Sequence, residues 1–171
     1  TVLLTGKHTG NASIRGNGRT DIPLADDDVT LAEILKPAGY TSAVIGKWGL
    51  GEQNSSGNPL KQGFDYFYGY FNHVHAHNHF PEHLWENNTK VSLDNDVIPT
   101  KSPYSDVMGG VAKLDGRREY SGDKFIDKSL EFIENNQNKP FFLYLSLTAP
   151  HANNEAIHHD WAHGMETSNV D

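Results

Sequence analysis

The chain has 171 residues, 36% hydrophobic and 11% aromatic, which suits one domain with a real core and excludes a disordered composition. Its 22 acidic residues against 14 basic ones leave a net charge of -8, which argues against a general nucleic-acid surface. The absence of cysteine excludes disulfides and thiolate metal sites, and the longest apolar run, Phe141 to Leu147 with Ser146 inside it, falls well short of the ~18 to 20 residues of a membrane span.

Thr1 to Leu4 starts apolar and turns polar at Thr5-Gly6-Lys7-His8, reading as the first turn of a helix. The chain starts without Met, a basic leader or a cleavage site, and is read as an internal segment of a longer protein. Residues 11–25 carry Gly16, Gly18 and Pro23 without periodicity and read as loop; the glycines there are too few for a dinucleotide fingerprint. Asp26-Asp27-Asp28 reads as a solvated run favoured by the positive end of the helix that follows, because three adjacent carboxylates point in different directions.

Thr30 and Glu33 have the spacing of a capping box, and Leu31, Ile34, Leu35 and Ala38 then fall on one helical face until Pro37 and Gly39 end the helix. Thr41 to Ile45 is small, β-branched and apolar, as a strand covered on both faces should be. Gly46-Lys47-Trp48-Gly49 follows at its carboxyl end, where open α/β sheets bind ligands, so Lys47 is well placed for chemistry.

Residues 53–62 read as loop, and the aromatic stretch from Gly63 to Phe71 reads as a folded-over loop pinned by large rings. His73, His75, His77 and His79 then alternate, which in an extended chain puts four imidazoles on one face, suited to a transition metal or to an anion. The metallo-hydrolase pattern H-x-H-x-D-H fails, since His77 and Asn78 hold its last two places. The polar stretch to Gly116 carries a short hairpin near Lys90 to Ile98. Ser121 caps a second helix with Phe125, Ile126, Leu130 and Ile133 on one side, and Pro140 leads into a central buried strand, Phe141 to Leu147.

This repeats the earlier arrangement. A helix feeds a buried strand and an ionisable residue follows its end, Lys47 the first time and His151 the second. In one parallel sheet the two would meet at the same rim. The reading is an α/β fold, a mostly parallel sheet flanked by helices with long loops.

At this point the chain resembles the sulfatase family, the type-I arylsulfatase branch of the alkaline-phosphatase-like fold. Leu3-Leu4-Thr5-Gly6 is similar to the tail of the nucleophile signature. Ala38 to Thr41, Gly46 to Gly51, Lys61 to Asp65, Pro140 to Leu145 and Ala149-Pro150-His151 follow in the family's order. The resemblance implies part of one sulfatase catalytic domain, a partial alkaline-phosphatase-like sandwich acting on a sulfate ester, with carbohydrate sulfates as the substrate class. It implies a formylglycine nucleophile and a calcium ion whose ligands both lie outside residues 1–171, so that this stretch alone would be the sulfate-recognition portion without turnover. A periplasmic or secreted setting is implied in the same way.

Carried over by residue, Lys47 would hold the sulfate and His151 would contact it and assist the leaving oxygen. The family commonly has Lys-Trp-His where this chain has Lys47-Trp48-Gly49. The histidine loop is expected to return an imidazole to that place, His77 first and His75 second. His8, Arg15, Asn17 and the aromatic stretch from Gly63 to Trp85 are candidates for contacts to the sugar. Two other readings stay open here, a phosphomonoester or phosphodiester hydrolase of the same superfold and a histidine-rich metal-binding module without catalysis.

Overall fold

A computed structural model describes residues 1–16, 22–98 and 111–151; Asn17 lies outside them. The elements run α1 (Val2–Thr5), α2 (Leu31–Leu35), β1 (Thr41–Lys47), β2 (Tyr66–Tyr70), β3 (His83–Glu86), β4 (Thr89–Ser92), β5 (Val97–Ile98), β6 (Val111–Ala112), α3 (Ser121–Asn136) and β7 (Phe141–Ser146). Five strands form one sheet in the order β4-β3-β2-β1-β7, and β5 pairs with β6 separately. β1 is parallel to both β2 and β7, whereas β3 and β4 pair antiparallel, so the sheet is mixed, with its parallel half built around β1.

Period-two alternation sends successive side chains of these strands into two different cores. Val44, Phe67, Phe71, Phe142 and Tyr144 join Leu4 of α1 and Ala32 of α2 on one side. Ala43, Ile45, Tyr68, Tyr70, Phe141 and Leu143 join Phe125 and Phe132 of α3 on the other. The aromatic stretch is therefore a strand and not a folded-over loop. A strand buried on both faces carries no polar side to announce it, and here both faces are rings.

Two helices turn differently from expectation. The capping box on α2 is present, with the Thr30 hydroxyl accepting from Glu33 N and Glu33 Oε2 accepting from Thr30 N, yet Ala32 is the buried residue and Ile34 is exposed. α3 buries Phe125, Ser129, Phe132 and Asn136, which leaves Ile126, Leu130 and Ile133 exposed. Large rings win that face because they meet Tyr68, Tyr70, Tyr66 and Phe141. Ser129 and Asn136 can be buried there since each side chain donates to the helix's own carbonyls, Phe125 O and Phe132 O. The N-cap of α3 is Tyr120, not Ser121, whose buried hydroxyl has no partner among the described residues.

Further corrections fall in connecting segments. The hairpin lies earlier than expected, β3 turning through Asn87 (φ 53°) into β4. β7, expected to be central and buried, pairs only with β1 among the described residues, at the edge of the sheet, and is half-buried with Leu145 exposed. Asp28 is buried rather than solvated, accepting hydrogen bonds from Lys7 Nζ, the Ser13 hydroxyl and Ala25 N. Burial alone would raise its pKa, and those three donors outweigh burial to hold it below the ordinary value. The ion pair fastens the segment after α1 to the approach of α2.

At the end of β1 the three parallel strands approach too closely for any side chain but hydrogen. Gly46 has φ +113°, and a Cβ there would lie 2.0 Å from Ser146 O; a Cβ on its neighbour Gly69 would lie 1.9 Å from Gly46 O. Gly46→Ala is expected to destabilise the full-length protein by roughly 3 kcal/mol or more, since strain and overpacking add. Urea unfolding of the variant against wild type measures this.

Candidate active site

Alternation along β1 decides which way Lys47 goes. Val44 and Trp48 serve the α1/α2 side, and Ala43 and Ile45 serve the α3 side, so Lys47 leaves the strand on the α3 side at its carboxyl rim. Trp48 anchors the backbone behind it, being 5% exposed, donating Nε1–H to Gly57 O at 2.7 Å and meeting Phe64 edge-on. The parallel ladder continues past the strand, with Trp48 N donating to Tyr70 O and Gly49 N to Phe71 O at 3.0 and 2.9 Å. Lys47 thus rises from a rigid base. It forms no ion pair among the described residues, and burial lowers its pKa from the ordinary value.

The histidine run does not extend. Asn72, 8% exposed, accepts Val74 N at 2.7 Å and His75 N at 3.4 Å on its side-chain oxygen, and its own carbonyl accepts Ala76 N. This Asx-type turn starts the 3-10 turn His75–His77 and breaks the alternation. The four imidazoles therefore separate. His77 lies against His151 with ring centroids 4.7 Å apart and planes tilted by 33°. His73 stands over Gly49, where an added Cβ would meet the His73 Cβ at 3.2 Å and where φ is +72°.

His75 goes elsewhere. It is buried edge-on to Tyr70 at 4.9 Å and beside His83 at 4.8 Å, away from the place of the missing histidine, for which the sequence ranks it second. His79 is buried flat against Tyr120 at 5.9 Å, with neither ring nitrogen partnered among the described residues. A four-histidine metal face is thereby ruled out as drawn from the sequence. Among the described residues no group of three or more His, Asp or Glu is disposed to hold a metal ion. Asp28, the buried carboxylate, is already committed to Lys7 and Ser13, so the described residues do not fit a calcium site.

Electrostatics tie Lys47, His73, His77 and His151 into one cluster. Burial first, then the positive charges of His151, Lys47 and His73, lowers the pKa of His77. Burial and Lys47 lower that of His73, with Glu52 pulling the other way. His79 is pushed down to about 4, by burial first and then by His151 and His77. The rim thus offers a half-buried ammonium beside the rings of His73 and His77, whose neutral form burial and Lys47 favour; a neutral imidazole donates one N–H and accepts at the other nitrogen. Such a set binds an anion and moves protons.

Of the residues expected from sequence, Lys47, His77 and His151 come together. Arg15 does not join them. It is exposed, with Nε donating to Ala12 O, on the stretch that packs through Ile14 against the α1/α2 side. His8 accepts Gly10 N on its own turn. Sequence reasoning missed Asn72 and Glu52, the pair that holds the histidine turn, Asn72 Nδ2 donating to Glu52 Oε1 at 2.7 Å. An asparagine immediately before a polar run was the available signal for the turn.

The family described as Sulfatase matches residues 1–163. The chain belongs to the sulfatase family. It is 31% identical over 141 residues to arylsulfatase G of Mus musculus, covering 73% of this chain and 26% of that protein. It is 31% identical over 157 residues to N-acetylgalactosamine-6-sulfatase of Canis lupus familiaris, covering 86% of this chain and 27% of that protein. The chain thus spans about a quarter of the length of these curated relatives.

Among solved structures, it is similar to BT4656 in complex with its substrate D-Glucosamine-2-N, 6-O-disulfate, at 27% identity and TM-score 0.58, covering 88% of this chain and 24% of the other. It shares the fold of Ps i-CgsB in complex with k-i-k-neocarrahexaose at TM-score 0.70 and 21% identity, covering 99% of this chain and 38% of the other. The likeness to these neighbours covers the sheet and its flanking helices. No helix among the described residues is long and apolar enough to cross a membrane.

The buried imidazole of His75 has a consequence for stability. Its pKa is pushed down to about 3 from the ordinary 6.5, by burial first and then by His83 and Lys90. As pH falls below 6.5 the unfolded chain takes the proton and the native ring does not, so stability present above that pH is lost progressively down to about pH 3. The loss runs up to about 1.4 kcal/mol per pH unit for one such group. His75→Phe is expected to flatten the acid side of the stability profile by that slope, measured as urea midpoints from pH 7 to pH 4.

Proposed function

We propose that the protein containing this chain hydrolyses sulfate monoesters of carbohydrates, and that Lys47, His77 and His151 surround the scissile sulfate. The observation that carries this is the meeting of a strand-end lysine with two imidazoles packed against each other in a chain of the sulfatase family. Lys47 faces the sulfuryl oxygens, whose negative charge an ammonium in a partly dry site stabilises more strongly than water does. Cleavage of the S–O bond leaves an alkoxide on the sugar, which needs a proton. His151, beside His77, is the group that supplies or orients it, and the low pKa of His77 keeps that ring available as an acceptor.

The position that the family commonly gives to a third histidine is Gly49, and the His73 backbone and Cβ occupy the space above it. On this reading the turn capped by Asn72 supplies His77 from the side in place of an imidazole rising from position 49. The formylglycine of the family, when present, supplies the attacking oxygen. A carbohydrate substrate is supported by relatives whose names and ligands are sugar sulfates.

The full-length protein is expected to turn over an aryl sulfate faster than the matching aryl phosphate; the reverse order overturns the reading in favour of a phosphoester hydrolase. In the same assay Lys47→Ala should lower kcat/KM by at least ~100-fold through loss of charge stabilisation. His77→Ala should lower kcat by at least ~100-fold if the ring does proton work, and an unchanged rate removes it from the mechanism.

A further inference from the structure

Glu52 is a carboxylate fixed at the edge of the cationic rim. Its carbonyl accepts both the N–H and the hydroxyl of Ser55, at 3.0 and 2.9 Å, and its Oε1 accepts from Asn72 Nδ2. Gly51 before it is buried with φ +154°, where a Cβ would lie 2.6 Å from Gly57. The loop therefore presents Glu52 in one place. The residue is exposed, and its Oε2 has no partner among the described residues. Its charge is felt by His73, which lies under the opposing influences of Lys47 and Glu52.

A rim made only of Lys47 and imidazoles would attract any polyanion. Sulfated sugars differ in how many anionic groups surround a given ester, and discrimination among them needs a repulsive element as well as an attractive one. Glu52 supplies both in one side chain. Its second oxygen can accept from a sugar hydroxyl, and its charge opposes another sulfate or a carboxylate at the same point.

We propose that Glu52 is a specificity-determining residue for the sugar around the scissile sulfate, accepting a hydroxyl next to the sulfated carbon and disfavouring a second anion there. The substrate class is then a sugar ring that is monosulfated and otherwise neutral on the side facing Glu52. This rests on the sulfate-ester reading above and adds to it which esters are taken.

The test uses the full-length protein and its Glu52→Gln variant, which keeps one oxygen for Asn72 and removes the charge, while its NH2, in place of the second oxygen, can still hydrogen-bond to a sugar hydroxyl as a donor. Both are assayed on a monosulfated monosaccharide and on the same sugar carrying a second sulfate on the neighbouring carbon. Wild type should prefer the monosulfated sugar, and Glu52→Gln should narrow that preference by at least ~10-fold, through KM for the disulfated sugar and not through kcat. Glu52→Ala should in addition raise KM for the monosulfated sugar, because any hydrogen bond from this side chain to the sugar is gone. Equal losses on both sugars, the signature of a merely structural role through Asn72, overturn the proposal, as does an unchanged preference. Wild type that hydrolyses sulfate esters while the variants leave the preference intact overturns Glu52 alone. Wild type that hydrolyses no sulfate ester overturns the functional reading and Glu52 with it.

Discussion

The close approach of β2, β1 and β7 at Gly46 is the constraint on which the site depends. Three parallel backbones meet there with no room for a Cβ on either glycine, so the ends of the strands are locked in register, Gly46 with Gly69 and with Ser146. One residue later Lys47 emerges on the α3 side and Trp48 is pinned on the other. Two residues past Gly69, Phe71 holds Gly49 by a backbone bond, and the histidine turn starts at once. β7 delivers His151 to the same rim from the other flank. The backbone contact at the glycines thus fixes the register of three segments that carry side chains to the rim.

The chain as a whole is acidic, while the ammonium of Lys47 stands at the rim. A net charge of -8 is spread over the surface, while the rim gathers a lysine and three histidines around β1. Burial opposes the charging of His73 and His77, which lessens like-charge repulsion beside Lys47. An incoming anion reverses that balance by favouring protonation, so affinity for the anion and proton uptake are linked at the same rings.

Much of this was legible in the residues. The capping box at Thr30, the β-branched run into Gly46-Lys47 and the second helix–strand unit ending near His151 all rest on short-range rules, and the structure carries each of them. What was not legible depended on long-range packing. Which face of α3 is buried is decided by rings on β2 and β7, and nothing within residues 121–136 ranks Phe132 above Ile133. Alternation in the histidine run suggested an extended chain, but a single Asn72 side chain, bonded forward to Val74 and across to Glu52, imposes a turn that periodicity cannot register. Asp28 looked like one of three solvated acids because its partner, Lys7, is distant in sequence.

Asn72 also says something about how this part of the molecule can change over evolutionary time. Its amide and its oxygen join the loop after Lys47 to the turn that carries His77, so neither segment can be altered in length without displacing the other. Residues 49 to 79 are in that sense a cassette, held at its base by Trp48 and Gly57 and closed on itself by one asparagine. Grafting onto another scaffold would have to transplant the cassette whole, because a loop taken without its turn would arrive with an orphaned carboxylate, and a turn taken without its loop would lose the anchor for its amide.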